Sequence, residues 1–354
     1  MRTRQRIDTA EEGTPNVVSV LLREATSGPA YRPALPTARG PYSATVLSWL
    51  RNKPAHAASL AEGADPLGED IQLALYLTYE LHYRGFDGVH PALEWDPAIL
   101  NLRRECEDRF EGALRASVQT SADERALHGE LVTLSRPPTD DGPAGYLARE
   151  PHRERLRELI AHRSLYHLKE ADPQAFVLPR LTGATKALVA GVLFDEYGGG
   201  DPARSHHVLF ADLMGDLDLD PAYGAYLDVV PAPMLAVVNL MSWCGLHRRL
   251  RGALLGQLAL VELTSPLGSQ RMVRILAAHD AGPAAHRFYT EHVVADAVHE
   301  RVVREAIDDL VGAEPELIED VLFGIRAARW LEQRFDDHVL GSWTAGRSSL
   351  HAPI

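Results

Sequence analysis

Cysteine is nearly absent: Cys106 and Cys244 are the only two in 354 residues. Two thiols build neither a disulfide framework nor a cysteine-ligated zinc or iron–sulfur site, so a reducing cytoplasm is the expected compartment. Lysine is almost as scarce. Lys53, Lys169 and Lys186 are the only ones among 36 basic residues, the net charge is −13, and no basic run occurs. Such a chain is a poor candidate for nucleic acid. The longest apolar runs, Ala187–Phe194 and Met234–Met241, are far shorter than the ~20 residues a membrane span needs. The N-terminal MRTRQRIDTAEEG lacks the apolar core of a signal peptide. Strand-like alternation is missing, and so is any tandem repeat.

What is present is ordinary for a globular chain, with 45% hydrophobic and 24% charged residues. Its length suits roughly two domains. Pro15, Pro29, Pro33 and Pro36, with scattered Gly and Ser, make residues 1–40 a loose arm, with a short helix at Val17–Glu24. A helical N-terminal region, 41–145, follows. It holds helices at Tyr42–Arg51, at Ile71–Tyr83 (capped by Asp70 and ended by Gly85), and from Pro97 to Ala116. The run Ser135–Gly145, S-R-P-P-T-D-D-G-P-A-G, is a break.

From 150 to 345 one helix follows another: Glu150–Leu168, Leu181–Tyr197, then a helix restarted by Asp201-Pro202. Tyr223–Asp228 and Pro233–Trp243 come next, then Arg248–Leu263 stopping at Thr264-Ser265-Pro266, and Leu267–Asp280. Ala284–Leu310, divided near Thr290, and Pro315–Val339 complete the set, with a tail at 346–354. The expected fold class is all-α, a helical bundle.

The chemistry centres on Phe288–Val302, F-Y-T-E-H-V-V-A-D-A-V-H-E-R-V. On a helix, His292, Asp296 and His299 project from one stripe about 60° wide. The residues between them are apolar, so the helix is expected to be buried and the polar stripe needs partners. Two imidazoles and a carboxylate make half a transition-metal site, although an ion-paired stripe would also satisfy them. Glu196 and Glu262 each stand alone in apolar runs, where a glutamate is seldom buried unpaired. Glu196 could equally face water at a helix end, and Glu262 could pair with Arg251 or Arg271. Only one of His206 and His207 can face a given site. Glu170 reads locally as an ordinary acid near a helix end. Glu80 with His82 reads as a surface or interface polar pair, and Glu124 with His128 as a pair on a helix surface. No Glu-x-x-His occurs, which disfavours the ferritin-like diiron architecture with its two such motifs.

These residues together resemble the haem-oxygenase-like diiron oxidases and oxygenases over about 150–345. The resemblance rests on His-x3-Asp-x2-His late in the chain, a Glu thirty residues earlier, and a Glu followed ten residues later by His. The spacing is most similar to the N-oxygenating branch, typified by the diiron domain of the N-nitrosourea-forming enzyme. Lys169-Glu170-Ala171-Asp172-Pro173 and Pro179-Arg180-Leu181 resemble that branch too. The resemblance implies a metal set of Glu196, His206, Glu262, His292, Asp296 and His299, with Glu170 as an additional carboxylate.

It further implies two irons, O2 as co-substrate, an external electron donor, and a small amine, guanidine or aminoheterocycle such as 2-aminoimidazole oxidised to hydroxylamine or nitro products. Residues 41–125 resemble a dimerisation region, which implies a homodimer. No β-rich segment follows the bundle, so the cupin step of the nitrosourea enzyme is not implied. Rival expectations are oxidative C–C cleavage or desaturation at the same centre, a helical binding protein without redox chemistry, and a thiaminase-like hydrolase. The last would need Cys244 as nucleophile; as a small core residue it would be inert.

Overall fold

A computed structural model describes residues 32–53, 61–137 and 141–354, apart from the side chains of 296 and 297. The arm up to residue 31, and with it the helix expected at Val17–Glu24, lies outside the described residues. Among those residues there is no strand, and the all-α expectation holds. The helices are α1 (Pro41–Leu50), α2 (Glu69–Glu80), α3 (Pro97–Ser117), α4 (Glu124–Leu134), α5 (Pro143–Arg149), α6 (Arg153–His167) and α7 (Asp172–Ala175). They continue with α8 (Gly183–Glu196), α9 (His206–Asp216), α10 (Ala232–Leu246), α11 (Arg251–Ala278), α12 (Pro283–Ala313) and α13 (Ile318–Thr344). No described helix is long and apolar enough to cross a membrane.

One hydrophobic core runs from Tyr42 to Leu350. α10 lies at its centre, with every residue from Met234 to Gly245 buried. The longest helices, α11, α12 and α13, pack along one another, and α8 and α9 lie against α12. α11 and α13 cross at two glycines. A Cβ on Gly256 would come within 2.1 Å of the Val321 carbonyl, and one on Gly324 within 1.9 Å of the Ala253 carbonyl. Only hydrogen side chains permit that approach.

Two expected breaks are absent. α11 runs on through Pro266. A mid-helix proline costs roughly 3 kcal/mol, because it supplies no amide to the carbonyl four residues back, here that of Glu262. Burial against α12 and α13 on either side outweighs that loss, and Thr264 Oγ1 donates to the Leu260 carbonyl at 2.7 Å. α12 is likewise continuous across Thr290, since Phe288, Tyr289 and His292 are all buried there.

Asp70 does not cap its own helix, which starts after Gly68. Its carboxylate instead accepts from Tyr42 N (3.0 Å), Ser43 N (2.7 Å) and Ser43 Oγ (2.6 Å), satisfying the first amides of α1. The break expected over Ser135–Gly145 ends early, because Pro143 opens α5, and the helix expected at Tyr223–Asp228 is instead a run of turns. Both ends of the described chain are tied down. Pro33 and Pro36 are buried, and Arg39 pairs with Glu69 at 2.7 Å. Near the C-terminus, Glu158 accepts from Ser349 N, Ser349 Oγ and Trp343 Nε1.

Candidate metal centre

Glu196 ends α8 and His206 begins α9, and a glycine corner folds one back on the other. Gly198 N donates to the Asp195 carbonyl at 2.8 Å and Gly199 N to that of Phe194 at 2.9 Å, the two bonds of a Schellman cap. Gly198 takes φ +86°, and a Cβ there would lie 2.2 Å from the Asp201 carbonyl. The three glycines 198–200, all at positive φ, form a tight corner. It also starts α9 at His206, one turn later than expected, after a 3-10 turn at Pro202–Arg204. The result sets Glu196 Oε2 2.6 Å from His206 Nδ1.

Two groups of buried ligand-type side chains meet around this corner. Glu170, Glu196, His206 and His292 each bring one potential ligand atom into a cluster whose members all lie within 4.8 Å of one another. Glu196, Glu262 and His299 do the same in a second cluster. Glu196 belongs to both. All six side chains are buried, at 1–7% exposure. Asp296 sits between the two histidines on α12, but its side chain lies outside the described residues.

The donor set fits metal ions better than it fits a self-contained ion-pair network. Among the described residues, the buried His206 Nδ1 and His292 Nε2 have no hydrogen-bond partner. His206 Nδ1 is close to Glu196, yet the pair does not have hydrogen-bond geometry. A buried polar atom left unpaired costs roughly 1–3 kcal/mol, and a cation would remove that cost at both. His292 Nδ1 lies 2.8 Å from the Phe288 carbonyl, to which it must donate. That contact fixes the tautomer and turns the Nε2 lone pair inward, the arrangement usual for metal-binding histidines. Carboxylates and imidazoles suit iron, and no thiolate is present to favour softer ions.

His167, on the last turn of α6, was not anticipated. Its Nδ1 lies 3.0 Å from Glu170 Oε2, and its ring is clamped between Tyr166 and Phe210, with centroids 4.6 Å away on each side. Burial pushes the His167 pKa down, against the pull of Glu170. In either protonation state, Nδ1 must carry a proton to hold that carboxylate. Burial acts to raise the Glu170 pKa, but His167, His292 and His206 outweigh it and hold the carboxyl well below its usual range. Glu170 is thus not the ordinary helix-end acid its local sequence suggests. Asp195, also unanticipated, lies 3.2 Å from His299 Nε2. The spacing of Y-H-L-K-E, an i,i+3 pair, could have flagged His167. Nothing local marks Asp195.

The other tentative sites resolve differently. Glu80 is fully buried between helices and pairs elsewhere than with His82, accepting from Lys169 Nζ (2.6 Å) and the Tyr223 hydroxyl (2.9 Å). His82 contacts Glu94 and Arg103. His128 meets Asp308, at 3.3 Å, rather than Glu124. Arg251, weighed as a partner for Glu262, pairs with Glu314. Cys244 is wholly buried, and burial pushes its thiol up, away from a nucleophilic thiolate.

A largely enclosed cavity of about 20 Å³ lies beside the centre. Tyr166, Leu240, Met241, Leu260, Val261 and Ala328 are among the residues that line it. It has room for one water-sized molecule.

The model of a haem-oxygenase-type family, described as iron-containing redox enzymes, matches residues 157–333, half of the chain. Among curated proteins none matches. The matched span runs from α6 into α13 and contains every residue of both clusters. The chain belongs to the haem-oxygenase-like family of iron-containing redox enzymes.

Proposed function

We propose that the protein is a non-haem diiron N-oxygenase that uses O2 to oxidise the nitrogen of a small amine, guanidine or aminoheterocycle. One iron would be held by Glu170, Glu196, His206 and His292, and the other by Glu196, Glu262 and His299, with Asp296 the further ligand that the resemblance implies. The observation carrying this reading is the shared Glu196: two ligand clusters with one common carboxylate suit a bridged pair of ions, as in two-metal sites generally. When bound, such a pair supplies electrons and open coordination positions for O2. Glu170 supports the nitrogen-directed branch, because the additional carboxylate that the resemblance assigns there joins the first cluster.

The chain's own contribution is orientation and dryness. Phe288 and Phe210 are fully buried, with ring centroids 5.0 Å apart, and Phe288 lies 4.3 Å from His292. These rings keep water from the imidazoles, which strengthens electrostatic interactions inside the site. His167 holds Glu170, and the Phe288 carbonyl holds His292. An external reductant or redox protein would deliver electrons, and the homodimer expected from residues 41–125 belongs to the same proposal.

The test is product analysis with 18O2. Fe(II)-loaded protein and a reductant are given candidate amines, and 18O in a hydroxylamine or nitro product is sought by mass spectrometry. Label in an N–O product is the expected result. Release of CO2 or formaldehyde with an alkene would instead select oxidative cleavage and sink the N-oxygenase reading.

A further inference from the structure

His299 has a carboxylate at each ring nitrogen. Nδ1 lies 3.1 Å from Glu262 Oε2 and 3.6 Å from Glu196 Oε1, inside the second cluster. Nε2 lies 3.2 Å from Asp195 Oδ2, on the outward side. The His299 ring is 2% exposed, whereas Asp195 is 53% exposed. An imidazole can present a lone pair from only one nitrogen, and the other must then carry the proton.

From this geometry we infer that Asp195 is a positioning residue for the second metal. It accepts the Nε2 proton of His299, fixes the ring's tautomer and rotation, and so directs the Nδ1 lone pair at the ion held by Glu196 and Glu262. The two histidines of α12 are therefore set in opposite senses. His292 donates from Nδ1 to the Phe288 carbonyl and ligates through Nε2. His299 donates from Nε2 to Asp195 and ligates through Nδ1. Asp195 is covalently next to the shared Glu196, so one turn of α8 would supply both the carboxylate common to the two clusters and the support of the histidine opposite. Outer carboxylates of this kind typically change metal affinity 10–100-fold. The inference rests on the two-metal reading above, and its test is chosen to separate the two.

The full-length wild type, Asp195→Ala and Asp195→Asn are titrated anaerobically with Fe(II), and the metal-free proteins are melted. Asp195→Ala is expected to weaken the second equivalent about 10–100-fold with the first unchanged. Asp195→Asn, which keeps an acceptor oxygen, is expected to lose less. Melting of the metal-free chains should not move, because the side chain is half exposed.

Nitrogen-15 spectra of histidine-labelled, Zn(II)-loaded wild type are expected to show His299 protonated at Nε2, with assignment from His299→Gln. Unchanged binding of both equivalents by Asp195→Ala, loss of both together, or an Nδ1–H tautomer for His299 would each overturn the inference. If the wild type itself takes up fewer than two equivalents, the two-metal reading fails. The tautomer then decides alone whether Asp195 orients His299.

Discussion

Lys169 and Glu80 form an ion pair that water barely reaches, with side chains 1% and 0% exposed. The ammonium lies 2.6 Å from Glu80 Oε2 and sits over the rings of Tyr83 (4.3 Å) and Tyr76 (4.6 Å). The pair ties α2 to the turn carrying Glu170. Removing one partner of such a pair strands a charge and costs about 3–5 kcal/mol, whereas replacing both by apolar side chains is often near neutral. Lys169→Met is therefore expected to destabilise by about 3–5 kcal/mol. With an unfolding entropy of about 2.1 cal/mol/K per residue over 354 residues, that is a Tm drop of roughly 4–7 °C. Glu80→Met should cost a similar amount.

The double variant should recover most of the loss. What remains is the Tyr223 hydroxyl, which donates to Glu80 and would be left unpaired at a cost of roughly 1–3 kcal/mol. Adding Tyr223→Phe should remove that remainder. Urea unfolding of the four variants gives the coupling energy directly. Single-variant losses below about 1 kcal/mol, or a double variant as damaged as the sum of the singles, would refute the reasoning.

Asp336 offers a pH test. Burial raises its pKa to about 7, with Arg163 opposing and Glu332 adding to the rise. The folded chain therefore holds this proton between about pH 4 and 7 where the unfolded chain has released it, and stability from this group falls as pH rises through that window. Asp336→Asn should melt closer to, or above, the wild type as pH goes from 5 to 8; a constant difference would contradict the assignment. Both thiols are buried, with burial pushing that of Cys106 up to about 12. A thiol reagent at pH 8 should label neither in the native protein and both in urea, and rapid native labelling would count against the core positions. Gly198→Ala should destabilise by more than about 1 kcal/mol from its left-handed backbone alone and weaken the first metal site by separating Glu196 from His206; wild-type Fe(II) binding would show that the corner does not set the site.

Helical periodicity made the all-α bundle legible, and lone acids in apolar runs singled out Glu196 and Glu262. The site-bearing helices were harder to bound. Pro266 and Thr290 read locally as stops, but burial along α11 and α12 exceeds the cost of one lost hydrogen bond, and that burial depends on residues distant in sequence. Asp70 followed the pattern of a helix cap, yet its strongest partners lie 27 and 28 residues earlier. Lys169 is 89 residues from Glu80 and Asp195 is 104 from His299, so neither pairing has a local signature. Conversely, the Glu170 carboxylate looked ordinary until His167, His206 of α9 and His292 of α12 enclosed it.

The account turns on Glu196 serving two metal ions at once, and anaerobic Fe(II) equilibrium dialysis of three single variants tests this most directly. Two ions per wild-type chain are predicted. His292→Ala should weaken one, Glu262→Ala the other, and Glu196→Ala both. One ion or none in the wild type, or a Glu196→Ala chain that loses only a single ion, would contradict the account.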